Sequence, residues 1–315
     1  MHNNEKQNRS GSANASRATS FCGTYTAIIT PFTAAGYLDK VNLQRQITRQ
    51  IEGGVNGIVP VGTTGESSTL DFTEHISVVA FAVQVAAGRM QVLAGTGANS
   101  TSEAISLAKA AEDAGADSLL QVVPYYNKPS QEGLFQHFKA VADATRLPII
   151  LYNIPGRCGI DITIDTVCRL REARSNIAGI KVANGSSDYV TELRARAGQD
   201  FAIFSGDDSL TLPFISVGAC GAISVVSNIF PEHVVQMVSA ALLGNLTEAK
   251  RIHAELFPLI KSIFLEGNPV GVKSAMEHIG LDSGAVRPPL VKVSSATAAA
   301  IHKALSGFLN RAPAH

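Results

Sequence analysis

The chain has 315 residues, of which 45% are hydrophobic and 17% are charged. A chain of this length and composition can bury a full core, which excludes disorder for most of it. Its formal net charge of zero argues against a broad basic surface for nucleic acid or an anionic membrane, and no apolar run is long enough to span a bilayer.

Residues 1–20 are rich in Asn, Ser, Ala and Gly and lack the apolar core of a secretory signal. We predict a disordered N-terminal tail there. The four cysteines do not have CxxC spacing and do not neighbour a His as in zinc sites, so we interpret them as ordinary small residues of a reducing compartment. They are Cys22, Cys158, Cys168 and Cys220. We predict a cytoplasmic protein with no metal and no other cofactor.

Eight short apolar runs, rich in β-branched residues and bounded by Gly, Pro or Asn, follow the tail. They are nearly continuous rather than alternating, as expected of parallel strands that are covered on both faces. The predicted strands are residues 24–32, 57–61, 91–95, 118–123, 148–152, 177–182, 201–204 and 221–226.

The segments between these runs carry Ala, Leu and Val at helical spacing. Helices are predicted over residues 43–52, 73–87, 102–114, 131–145, 164–172, 187–196 and 210–217. Eight strands separated by helices predict the α/β class and a (β/α)8 TIM barrel over residues 21–244. The competing doubly wound sheet requires a GxGxxG turn after the first strand, and residues 28–31 contain no glycine.

The pattern changes after the eighth strand. Residues 231–308 are predicted to be helical throughout, with breaks at residues 244–245, 267–269 and 287–289, where Gly, Asn and Pro are concentrated. The first of these helices completes the barrel. Residues 245–315 are predicted to form a small C-terminal helical domain of two or three helices.

Active sites of such barrels lie where the strands end and the following loops begin. The polar residues at these exits fall in residues 62–66, 124–127, 151–157, 179–183 and 205–208. Lys181 stands out because it lies inside an apolar strand, where an unpaired ammonium is costly. One interpretation is a structural lysine that pairs with a carboxylate such as Asp207 or extends to the rim.

The other interpretation is a nucleophile. Apolar surroundings lower the pKa of an amine, so that part of it is neutral near pH 7 and can attack a ketone to form an imine. Such chemistry needs a proton relay, which hydroxyl groups can supply. Tyr152 ends the neighbouring strand, and Thr63 and Tyr126 lie at nearby exits. Tyr152 can alternatively be a core tyrosine with a satisfied hydroxyl.

The loop after the second strand allows two interpretations. Thr63 and Thr64 either form a turn in which the side chains bond the backbone, or supply hydroxyl and amide groups that bind a substrate carboxylate. Glu66 is predicted to be a buried carboxylate that stabilises this loop, without a catalytic role. Arg157 is either an exposed loop residue or a guanidinium that captures a second carboxylate in a bidentate manner.

Four motifs in order, GTTGE at 62–66, YY at 125–126, YNIP at 152–155 and GIK at 179–181, resemble the pyruvate-dependent class I lyase superfamily of N-acetylneuraminate lyase. Within it the chain is most similar to the dihydrodipicolinate synthase family, from residue 21 to about residue 308. Arg157 favours this family, because sialate lyases lack an arginine there. The chain departs from the family pattern at Phe72, Cys158, Val182 and Gly271.

The resemblance implies condensation of pyruvate with L-aspartate 4-semialdehyde, followed by cyclisation, in lysine (diaminopimelate) biosynthesis. The alternatives are another pyruvate-dependent class I aldolase that acts on a sugar acid or hydroxy-oxo acid, and a barrel that has lost catalysis. A metal-dependent aldolase is disfavoured because no His, Asp and Glu cluster has ligand spacing at the strand exits.

The resemblance also implies a role for each matching residue. Lys181 would form the Schiff base, Tyr152 would donate and accept the proton, and Thr63 would complete the relay with Tyr126 of a neighbouring subunit. Arg157 would hold the carboxylate of the semialdehyde. The remaining pyruvate-site residues would be Thr64, Gly206 and Ile223. The resemblance also implies a homotetramer built as a dimer of dimers, because Tyr126 would reach across a subunit interface.

Regulated members of the family bind L-lysine as an inhibitor at the dimer interface. The matching residues of this chain are Ser68, Leu70, His75, Asn99, Glu103 and Tyr125. Glu103 would pair with an amino group of the ligand. In the alternative interpretation, Asn99 is a loop residue and Glu103 is an acid that stabilises the first turn of a helix.

Overall fold

The computed structural model describes residues 21–310 of the chain, so the predicted tail at residues 1–20 lies outside the described residues. Within residues 21–310, eight parallel strands close into a barrel in sequence order. They are β1 Gly23–Thr26, β2 Gly57–Ile58, β3 Gln91–Gly95, β4 Ser118–Val122, β5 Ile149–Asn153, β6 Ile177–Val182, β7 Ala202–Ser205 and β8 Gly221–Ser224. The predicted α/β TIM barrel is confirmed.

Helices surround the barrel, and capping side chains mark where many of them begin. Ser130, for example, precedes one helix and accepts a hydrogen bond from the Gly133 amide. The helices around the strands are α1 Lys40–Glu52, α2 Phe72–Ala86, α3 Thr101–Asp113, α4 Gln131–Asp143, α5 Pro155–Cys158, α6 Ile164–Ala173, α7 Ser187–Ala197, α8 Thr211–Ser216 and α9 Pro231–Leu242. Among residues 21–310, no helix is both long and apolar enough to cross a membrane.

The C-terminal part is helical, as predicted, and consists of α10 Leu246–Ile263, α11 Val270–His278 and α12 Ser295–Leu309. The predicted break at residues 287–289 is confirmed, but no helix forms anywhere in residues 279–294, so the helix predicted on either side of that break is wrong. This segment contains Pro288 and Pro289, which lack the amide hydrogen that a helix requires. The division into domains at residues 244 and 245 stays a prediction.

Two core clusters follow from the alternation of side chains along each strand. Ile180 and Val182 of β6 belong to the cluster between the strands and the outer helices. Tyr152 and Phe204 belong to the second cluster, which fills the barrel interior and continues into α10, α11 and α12. Lys181, between Ile180 and Val182, therefore faces the barrel interior.

Candidate active site

Lys181 lies near the carboxyl end of β6, and only 5% of it is exposed. The strand register pairs it with Tyr152 of β5 on one side and Phe204 of β7 on the other. Its Nζ atom lies 4.3 Å from the centroid of the Tyr152 ring. Lys181 takes part in none of the ion pairs formed within residues 21–310.

Burial lowers the pKa of Lys181 from its ordinary value of 10.5 to about 8, because desolvation penalises the ammonium form. The negative charge of Asp208 opposes this shift, and the positive charge of Arg157 adds to it. Roughly a tenth of the amine is therefore neutral at pH 7. The electrostatics favour the interpretation of Lys181 as a nucleophile.

The carboxylate that acts on Lys181 is Asp208, so the structural alternative in which Asp207 pairs with this lysine is wrong. The Asp207 carboxylate instead accepts hydrogen bonds from the amide and hydroxyl of Ser209, both at 2.8 Å. Asp208 is buried and accepts from the amides of Val225 and Val226 at 3.0 and 2.9 Å, which fix its carboxylate.

Tyr152 and Thr63 come together beside Lys181. Burial raises the pKa of Tyr152, while the charge of Arg157 and a side-chain hydrogen bond with Thr63 lower it. The net direction is upward, so the phenol keeps its proton near neutral pH. A neutral hydroxyl in this position can pass a proton without holding a charge.

Gly206 leaves the space that the Lys181 side chain occupies. A Cβ atom at Gly206 would lie 2.8 Å from Cε and 2.9 Å from Cγ of Lys181. The Gly206 amide donates to the carbonyl of Val182 at 2.8 Å and so continues the β6–β7 pairing beyond the strand. Ile223 of β8 is buried in the same core cluster as Tyr152.

Thr64 and Arg157 are joined by Asn268, which the sequence did not indicate. The Asn268 side-chain amide donates to the Thr64 hydroxyl at 2.9 Å. Arg157, on the short helix α5, donates from Nη2 to the Asn268 carbonyl at 2.8 Å. Asn268 precedes α11, so the C-terminal helical part contributes to the mouth of the barrel.

Tyr126 is separate from this group. Its side chain is 89% exposed, and its backbone is left-handed with φ of 74°. Within one chain the structure therefore does not bring Tyr126 to the buried Tyr152 and the half-buried Thr63. Its predicted contribution to a neighbouring subunit stays a prediction.

Three of the six residues predicted to bind lysine lie together near the surface. Asn99 donates from its side-chain amide to the Tyr125 carbonyl at 3.2 Å. Burial raises the pKa of the Tyr125 hydroxyl, and the nearby charge of Glu103 adds to this shift. After the loop of residues 62–66, Ser68 is exposed, whereas Leu70 is half-buried and packs against the core cluster between the strands and the outer helices.

His75 is buried, and its Nε2 lies 2.7 Å from the Gly95 carbonyl. A carbonyl only accepts, so Nε2 carries the hydrogen. Burial lowers the pKa of His75, which keeps the ring neutral and leaves Nδ1 as an acceptor. In this state His75 cannot donate from Nδ1 to a ligand carboxylate. Residues 21–310 contain no group of three or more His, Cys, Asp or Glu side chains that would hold a metal ion.

A closed parallel barrel in which a buried lysine and a buried tyrosine meet a half-buried threonine at the carboxyl ends of the strands has the organisation of a TIM-barrel enzyme. The sequence pattern of the dihydrodipicolinate synthetase family matches residues 20–307. The 4-hydroxy-tetrahydrodipicolinate synthase of Persephonella marina is 49% identical over 271 residues, which are 86% of this chain and 92% of that protein. The chain belongs to the dihydrodipicolinate synthetase family.

Solved structures agree with this assignment. The 4-hydroxy-tetrahydrodipicolinate synthase of the thermoacidophilic methanotroph Methylacidiphilum fumariolicum SolV is 50% identical, with a TM-score of 0.91 over 92% of this chain and 96% of that one. The prediction of a lyase, a 4-hydroxy-tetrahydrodipicolinate synthase, is confirmed.

Two further structures of this family contain small molecules. The chloride-inhibited dihydrodipicolinate synthase of Acinetobacter baumannii, complexed with pyruvate, is 43% identical, with a TM-score of 0.89 over 91% of this chain and 98% of that one. The synthase of Cyanidioschyzon merolae with lysine bound is 38% identical, with a TM-score of 0.89 over the same shares.

Proposed function

We propose that the chain condenses pyruvate with L-aspartate 4-semialdehyde through an imine on Lys181. The observation that carries this proposal is the position of Lys181, buried, outside any ion pair of residues 21–310 and 4.3 Å from the Tyr152 ring. The pyruvate complex of the Acinetobacter baumannii relative supports the first substrate.

The neutral Lys181 amine adds to C2 of pyruvate, and the carbinolamine loses water to give the protonated imine. Tyr152 donates and accepts the protons of these steps, and Thr63 connects it to the next hydroxyl of the relay. The imine withdraws electrons, so C3 loses a proton and becomes an enamine. C3 then bonds to the aldehyde carbon of the semialdehyde. The amino group of the semialdehyde next adds to C2, displaces the Lys181 amine and closes the ring.

The other residues of the site bind and orient the two substrates. The Thr64 hydroxyl and the amides of its loop hold the pyruvate carboxylate, while Gly206 and Ile223 shape the space around the imine. Arg157 holds the carboxylate of the semialdehyde, and its bond to the Asn268 carbonyl fixes one guanidinium nitrogen.

Borohydride trapping tests the proposal. Pyruvate with borohydride should modify Lys181 irreversibly, as located by mass spectrometry, and Lys181→Arg should abolish both trapping and turnover because it removes the neutral nucleophile. Arg157→Ala should keep trapping and lower kcat/KM for the semialdehyde by about 10–100-fold, the loss expected of a charge-assisted contact. Turnover that survives in Lys181→Arg would rule out the covalent mechanism. Trapping without any reaction of the semialdehyde would indicate another pyruvate aldolase.

The assembly and the regulation belong to the same proposal. The enzyme works in the cytoplasm as a homotetramer, a dimer of dimers, in which Tyr126 completes the relay of a neighbouring subunit. The 89% exposure of Tyr126 and its loop position beside Tyr125 support an interface there. L-lysine inhibits at the surface of Asn99, Glu103 and Tyr125, which the lysine-bound relative supports.

A further inference from the structure

A buried ion pair joins the C-terminal helical part to the loop that carries Thr63. Lys273 of α11 and Glu66 form it, and both side chains are fully buried. Lys273 Nζ also donates to the carbonyls of Thr30 and Ala285, each at 2.8 Å. The second Glu66 oxygen accepts from the Arg287 amide at 3.0 Å. All three ammonium donors and both carboxylate oxygens are therefore satisfied.

The position of Glu66 determines the shape of the loop. Its backbone is left-handed, with φ of 55° and ψ of 41°, a conformation that a glutamate rarely adopts without support. The Glu66 amide donates to the Thr63 carbonyl at 3.1 Å, so the two residues close one turn. The Thr30 hydroxyl donates to the Gly65 carbonyl at 2.7 Å and holds the same turn from the segment that follows β1.

We propose that Lys273 is a positioning residue of the active site, which places the Thr63 hydroxyl against Tyr152 by fixing Glu66. The inference rests on the proposed imine mechanism, because it assigns Thr63 to the proton relay. It makes the C-terminal helical part a component of the catalytic site, although Lys273 itself contacts neither Tyr152 nor Lys181. The effect passes from Lys273 to Glu66, through the turn to Thr63, and then to Tyr152.

The physical reason is the cost of an uncompensated buried charge. Removal of Lys273 leaves the Glu66 carboxylate without its countercharge in a fully buried position. The carboxylate must then move towards water or take up a proton. Either change releases the left-handed turn, and a small displacement of a catalytic group lowers the rate steeply.

The test is a double-mutant cycle of Lys273→Met with Thr63→Val, in which kcat of the full chain is measured. The cycle begins only after the wild type has been shown to be trapped by pyruvate and borohydride. We expect Lys273→Met to lower kcat by about 10²-fold in the wild-type background, as for a misplaced relay group. In the Thr63→Val background it should cost only a few-fold, because residues that act through one contact are not additive. Equal losses in both backgrounds, or an unchanged kcat, would overturn the inference.

Arg194 offers a matched control. It is a buried cation that donates to the carbonyls of Gly198, Phe201 and Gly218, at the end of the barrel away from the strand exits. Arg194→Met should lower the melting temperature, and any effect on kcat should be the same with and without Thr63→Val.

If Lys273→Met does not fold, Glu66→Gln takes its place in the cycle, because it keeps the side-chain shape and removes the charge. Additive losses in Glu66→Gln would then reject the inference. A wild-type chain that fails to trap pyruvate would reject the proposed function instead.

Discussion

At the scale of single residues, the reactivity of Lys181 is a balance between burial and one carboxylate. The shift of its pKa from 10.5 to about 8 corresponds to about 3 kcal/mol against the ammonium form. Burial is the largest cause, and Asp208 is the principal opposing charge. Desolvation therefore dominates, and Asp208 limits how far the pKa falls.

The rate of imine trapping in the wild type should rise as the pH rises through about 8, because only the deprotonated amine adds to pyruvate. Asp208→Asn removes the charge that raises the pKa of Lys181, so the midpoint should move to lower pH. Asparagine keeps an oxygen that can accept from the amides of Val225 and Val226. The measurement is the trapping rate between pH 6 and pH 9, a window chosen to bracket the expected midpoint at about 8.

Asp207→Asn is the control, since its carboxylate bonds to Ser209 and is not a cause of the shift at Lys181. Its midpoint should match that of the wild type. A midpoint that rises in Asp208→Asn, or that moves equally in both variants, would contradict the electrostatic account.

At the scale of elements, the strand register brings Tyr152, Lys181 and Phe204 side by side, and the sequence predicted much of this arrangement. The predicted bounds of β3 and β6 agree with the structure, because both apolar runs end where the ladder ends. The first strand was predicted too long, since Ala27 and Ile29 are buried after the strand has ended at Thr26. An apolar run indicates that residues are buried, not that they belong to a strand. Here the C-terminal helices cover residues that no longer belong to the sheet.

The close packing of β6 against the end of β7 predicts the effect of Gly206→Ala. The added methyl group would lie 2.8 Å from Lys181 Cε, so the lysine or the loop must move. We expect pyruvate trapping to slow by about 10²-fold, the cost of a displaced nucleophile, with a small change in melting temperature. The measurement is single-turnover trapping at saturating pyruvate.

Gly156→Ala is the matched control at the same mouth of the barrel, because a Cβ atom there meets nothing within 4 Å. It should trap pyruvate at the wild-type rate. Wild-type trapping by Gly206→Ala would show that Lys181 does not need the space that this glycine leaves.

At the scale of the whole molecule, the parts of the site that the sequence did not indicate are contacts between distant residues. Asn268 and Thr64 are 204 positions apart, and Lys273 and Glu66 are 207 apart. The burial of Glu66 was predicted, but its partner was not, because a single lysine in an amphipathic helix ordinarily faces water. Likewise, the sequence could not tell which of the adjacent Asp207 and Asp208 acts on Lys181, because this depends on which carboxylate the turn after β7 directs inward.

Inhibition by L-lysine is the prediction that depends on the molecule as a whole, because its proposed site is separate from Lys181. Millimolar lysine should lower the steady-state rate, and Glu103→Ala should raise the concentration for half-inhibition by about 10–100-fold, since it removes a charge-assisted contact with a ligand amino group. Asp113→Ala, an exposed acid at the other end of α3, is the control and should be inhibited like the wild type. Because coupling between two binding sites is reciprocal, saturating pyruvate should change lysine affinity by the same factor by which lysine changes pyruvate affinity. Calorimetric titration of lysine with and without pyruvate measures that factor. A rate that lysine leaves unchanged, or inhibition that is equal in Glu103→Ala and the wild type, would remove these residues from the regulatory site.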